Sequence, residues 1–104
     1  MGWVYVYINM NHWINIYGDE EKINKNIRGD NWGEPEYKGD DGPIVIKNQA
    51  NKMEIYIVRA TFTGTFRIEL TDKDDNLKGG ESYRISQEGF DNILEWLKHY
   101  TKHN

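Results

Sequence analysis

Cysteine is absent from this sequence, which excludes disulfides, thiolate zinc sites and cysteine nucleophiles and suits a reducing compartment. No apolar run approaches the roughly 18 residues of a membrane span, and the first residues lack a basic start followed by an apolar core. Neither membrane insertion nor secretion is therefore expected, and a cytoplasmic location is. Basic residues are in deficit: 13 Lys and Arg stand against 17 Asp and Glu, a net charge of −4. Phosphate backbones are bound through Lys and Arg, so this balance argues against a duplex nucleic-acid partner. Histidine occurs only three times, at His12, His99 and His103. A chain of 104 residues fits one domain with a core large enough to need no covalent staple.

The opening residues carry the strongest pattern. In Trp3-Val4-Tyr5-Val6-Tyr7-Ile8 the odd positions are aromatic and the even ones aliphatic. In His12-Trp13-Ile14-Asn15-Ile16-Tyr17 the odd positions are Trp, Asn and Tyr, and Ile14 and Ile16 are even. Successive side chains of a strand point to opposite faces, so each run has an aliphatic face and an aromatic one. A three-residue loop Asn9-Met10-Asn11, with Asn11 left-handed, pairs Ile8 with His12 and then Tyr7 with Trp13, Val6 with Ile14, Tyr5 with Asn15, Val4 with Ile16 and Trp3 with Tyr17. A two-residue turn would shift that pairing by one and scramble both faces.

Residues 18–43 form an acidic segment expected to be a loop or a short helix, with Asp19 as the cap of a helix over Glu20 to Ile27. Residues 44–85 supply strands: Ile44 to Ile46, Glu54 to Phe62, Thr65 to Leu70 and Ser82 to Ile85. Gly79-Gly80 belongs to a charged loop on this reading. Residues 86–102 form a helix capped by Ser86, with Phe90, Ile93, Leu94 and Leu97 on one stripe. The expected fold is a single α+β domain: an antiparallel sheet of about five strands, with the amphipathic C-terminal helix on its aliphatic face.

Chemistry is sparse. Glu95, His99 and His103 recur every fourth residue, but a frayed helix end is a poor metal site. Asp72, Asp74 and Asn76 share the first spacings of a calcium loop, yet Leu77 replaces its glycine and Tyr83 its bidentate glutamate. The carboxylate pairs Glu34 with Glu36 and Asp40 with Asp41 have no apolar surroundings to raise a pKa. No catalytic group, cofactor or metal is expected.

The aromatic face is the candidate site. Residues 18–43, with Trp32 and Tyr37, could cover it as a second core. Left open, it offers the residue types of binding hot spots. On that reading Trp3, Tyr5, Tyr7, Trp13, Asn15, Tyr17 and Trp32 contact a protein partner. Glu34, Glu36, Asp40 and Asp41 would steer a basic surface on that partner. A small non-enzymatic inhibitor, or an immunity or anti-defence factor, fits this composition. The alternatives are a single-stranded nucleic-acid binder stacking bases on the rings and a carbohydrate-binding module. From Phe66 to Leu97, a strand, the loop Asp75-Asn76-Leu77-Lys78-Gly79-Gly80, a strand and a Ser-led helix resemble the end of the positive-cofactor-four type of single-stranded DNA binder. That resemblance implies a basic surface, here Arg59, Arg67, Lys73, Lys78 and Arg84.

Overall fold

The computed structural model describes residues 1–9, 12–39, 42–60, 65–72 and 77–101. Seven strands form one antiparallel sheet: β1 (Gly2–Asn9), β2 (His12–Gly18), β3 (Glu36–Tyr37), β4 (Ile44–Lys47), β5 (Glu54–Ala60), β6 (Thr65–Thr71) and β7 (Leu77–Ile85). Their order is β1-β2-β7-β6-β5-β4-β3. Helix α1 (Glu20–Asn26) follows the first hairpin, and α2 (Gln87–Thr101) closes the fold. Among the described residues no helix is long and apolar enough to cross a membrane.

The sheet is thus larger than the expected five strands. β3 is only two residues long, pairing Glu36 with Val45 and Tyr37 with Ile44; so short a strand leaves no periodic signal. β7, expected only from Ser82, begins at Leu77 and runs through Gly79 and Gly80, which lie between its pairing of Leu77 with Thr71 and that of Ser82 with Glu69. A register shift on β6 between Glu69 and Thr71 absorbs the extra residues of this longer strand.

The hairpin register agrees with the sequence pattern from Trp3↔Tyr17 to Tyr7↔Trp13. Its last pair differs: Asn9, not Ile8, stands opposite His12, after a register shift between Tyr7 and Asn9. A bulge of this kind lets Ile8 remain fully buried while the ladder continues past it. Met10 and Asn11 lie outside the described residues.

All aliphatic faces meet in one core. Val6, Ile8, Ile14 and Ile16 of the hairpin join Ile46, Ile55, Ile57, Ile68 and Leu70, and α2 adds Phe90, Ile93 and Leu97. The C-terminal helix therefore lies on the aliphatic side. Ser86 starts it, its Oγ accepting from the Gly89 N–H at 3.0 Å. Trp96 packs at the core's edge, its ring stacked on His12 at 3.7 Å.

Helix α1 covers the same side. Asp19 caps it, Oδ1 accepting from the Lys22 N–H at 3.1 Å, and Ile23 and Ile27 are fully buried. So short a helix is marginal alone. Burial of its two isoleucines, worth about 1.5–3 kcal/mol each, holds it in place. Trp32 follows them into the core, only 4% exposed, and its Nε1–H donates to the Ile27 carbonyl. Ile23, Ile27 and Trp32 thus pack on the core side of the sheet, Glu36 and Tyr37 extend it as β3, and the aromatic face is left open.

Candidate binding face

On the outer face of β1 and β2, Trp3 is 51% exposed, Tyr5 56%, Trp13 47% and Tyr17 39%; Tyr7 is half-buried. Rings of opposite strands are paired: Trp3 meets Tyr17 edge-on at 5.2 Å, and Tyr7 meets Trp13 at 5.1 Å. Such pairs contribute about 0.5–1.5 kcal/mol beyond their burial and fix the rings in place. Arg28 donates to the Tyr5 carbonyl from outside the sheet, so the Tyr5 main-chain groups face away from β2. Tyr5 and its odd-numbered neighbours therefore occupy the non-hydrogen-bonded positions of the ladder, where facing side chains come closest. With roughly half of each ring exposed, four rings present on the order of 400 Å² of contiguous surface.

Asn15 stands among these rings, opposite Tyr5. Its Oδ1 is buried and has no hydrogen-bond partner among the described residues. An acceptor stranded in this way costs about 1–3 kcal/mol.

Sheet order extends the face. β2 pairs with β7, placing Arg84 directly beside Tyr17, and β6 places Arg67 beside Arg84. The resemblance to single-stranded DNA binders implied a basic surface holding both arginines, not a place for them beside the rings. Their adjacency to the rings depends on a pairing between strands far apart in the chain. Arg67 is engaged by Glu69 at 3.0 Å.

The acidic residues expected to flank the rings are elsewhere. Glu34 is exposed and Glu36 lies on β3, at the opposite edge of the sheet from β1. At about 4.8 Å per strand interval, that is roughly 29 Å measured along the sheet. Glu36 is also occupied, 3.1 Å from Lys38 and 3.9 Å from Lys47. The Lys38 ammonium holds its carboxyl below the ordinary carboxylate range. Asp40 and Asp41 lie outside the described residues. Trp32, expected at the contact surface, is a core residue because its ring closes the end of the core beside Ile27. The expected site therefore divides: the hairpin residues form one face, and the described acidic ones do not belong to it.

Tyr37 projects on the helix side, where it borders a cavity of about 390 Å³ with Leu94, Leu97, Asp91, Glu95 and Lys98. Among the described residues no cluster of three His, Asp or Glu could hold a metal; His103, Asp74 and Asn76 fall outside them. The chain matches no protein family, no curated protein and no solved structure.

Proposed function

We propose that this chain is a non-enzymatic binding protein of the inhibitor, immunity or anti-defence type, which docks one protein partner on the outer face of β1 and β2. The observation that carries this reading is the exposure of Trp3, Tyr5, Trp13 and Tyr17 on a fixed ladder. Trp, Tyr and Arg dominate interface hot spots, because large rings bury much area for little lost rotamer freedom. Two Trp, three Tyr and Arg84 meet on this face, whereas Glu36, expected at its rim, lies on β3 at the far edge of the sheet. An area of some 400 Å² is about half of one partner's share in a standard interface, a fitting size for its centre. A cytoplasmic setting accords with the lack of cysteine.

The test is affinity capture from the source organism, followed by a titration of the captured protein. Tyr5→Ala with Trp13→Ala should weaken binding by several kcal/mol while the circular dichroism spectrum stays unchanged. Undiminished affinity in the folded double variant would remove the proposal. A second reading, stacking of single-stranded bases, draws on the position of Arg84 beside the Trp3–Tyr17 pair. A labelled oligothymidylate that bound with a steep salt dependence would favour it.

A further inference from the structure

Four side chains form an unbroken row across four neighbouring strands on the outer face: Trp3, Tyr17, Arg84 and Arg67. Like charges directly opposite one another in a sheet are unfavourable, so the Arg84–Arg67 pair breaks a local rule. Glu69 relieves half of that conflict, sitting 3.0 Å from the Arg67 guanidinium. Arg84 is exposed, and among the described residues no carboxylate pairs with it. A guanidinium with no carboxylate partner among the described residues is thus held between a ring and a second cation.

We infer that this row is an anion-reading subsite of the docking face, and that the partner's contact segment is acidic, with an apolar or aromatic side chain beside its carboxylate. This inference rests on the proposal that the outer face docks a protein. A carboxylate that forks onto Arg84 relieves the repulsion with Arg67, and the neighbouring Tyr17 and Trp3 rings receive the side chain next to it. Beyond Glu69, acidic residues stand at the Trp3 end of the row, where Asp19, Glu20 and Glu21 line a pocket with Trp3 and Glu20 is 3.8 Å from Arg28; the Arg84 end is the one open to an anion. Glu36 lies on β3, four strand intervals from Arg84, roughly 19 Å along the sheet and so about two Debye lengths away at physiological salt. A carboxylate partner is favoured over a phosphate backbone because, among the described residues, the row supplies one cation without a carboxylate partner, its other arginine being held by Glu69. A single-stranded polyanion needs a continuous basic track. The sign is opposite to the basic partner expected from overall composition.

The experiment is fluorescence anisotropy with three labelled probes: a short peptide alternating glutamate and tyrosine, its lysine–tyrosine counterpart, and an oligothymidylate. The glutamate peptide should bind most tightly. Its affinity should fall about tenfold or more in Arg84→Glu and in Arg84→Ala, the weight of a lost charge-assisted hydrogen bond. Arg84→Lys should fall between these and wild type, because it keeps the charge and loses the fork. Arg84→Ala introduces no new acid beside Glu69, so a folding defect confined to Arg84→Glu leaves the comparison intact. Equal or tighter binding of the lysine peptide or the oligonucleotide, or no binding of the glutamate peptide, overturns the inference. If Tyr5→Ala with Trp13→Ala abolishes binding of the captured partner while Arg84→Ala leaves it unchanged, the docking face stands and the anion subsite falls.

Discussion

Arg28 reaches back 23 residues to place its Nη2 2.7 Å from the main-chain oxygen of Tyr5. β1 is a terminal strand of the sheet, so this guanidinium occupies a carbonyl that would otherwise be free to pair with another chain. Glu20, 3.8 Å from Nη1, helps to hold it. The exposed rings and the free edge belong to the same residues, which makes a bare β1 edge a hazard beside a sticky face. A charged plug at the middle of such an edge is a recognised defence against edge-to-edge pairing.

Removing that plug should change association more than stability. Arg28→Ala is expected to produce a heavier species that grows with protein concentration in sedimentation velocity, relative to wild type under the same conditions. The accompanying stability loss should be small, about 1 kcal/mol or less, because the bond is exposed to water. Identical sedimentation of the two proteins across the concentration range would show that Arg28 does not guard the edge.

The sheet's sidedness was legible because the first hairpin writes it twice, once in Val4, Val6, Ile14 and Ile16 and again in the rings that alternate with them. Asp19 and Ser86 were legible as caps because a cap is a local event, settled by residues within one turn. What could not be read is what depends on distant pairing. β3 has no pattern of its own, and the first half of β7, before Ser82, reads as a charged loop through its two glycines. The same limit explains the site. Trp32 shares its residue type with Trp3 and Trp13, and only the packing of α1 decides that its ring goes into the core. Arg84 becomes a neighbour of Tyr17 only through the β2–β7 ladder.

Tyr83 and Lys22 predict how stability responds to alkaline conditions. Burial pushes the Tyr83 phenol above its ordinary value of 10.0, an effect opposed in part by the Asn26 amide, which donates to its oxygen at 3.2 Å. Glu81, 3.0 Å from the Lys22 ammonium, raises Lys22 above 10.5. In both cases the folded value exceeds the unfolded one. Their stabilisation is therefore complete below about pH 10 and is lost as pH rises through the folded values. Urea unfolding should show wild-type stability declining above about pH 10, and a shallower decline in Tyr83→Phe, which has no phenol to ionise. Parallel curves for the two proteins would remove Tyr83 from the alkaline limb.

Asn15 carries a stability cost on the ring face. Its backbone oxygen accepts from the Ser86 N–H at 3.0 Å, where the start of α2 closes on β2, and its Oδ1 is left buried without a partner among the described residues. A strand position flanked by Trp13 and Tyr17 suits a β-branched side chain better than a carboxamide. Asn15→Val should therefore stabilise the fold by about 1 kcal/mol, since the stranded acceptor is removed and nothing is left unpaired. Calorimetry would register this as a rise in Tm of about 4–8 °C for a domain of this size. On the proposed docking reading, a carboxamide that turns outward on binding exposes this oxygen to a donor of the partner and relieves that cost. The variant should then bind the captured partner more weakly than wild type although it is more stable. A lower Tm for Asn15→Val would mean that the carboxamide is already satisfied in the free protein, and the argument for its part in recognition would fail with it.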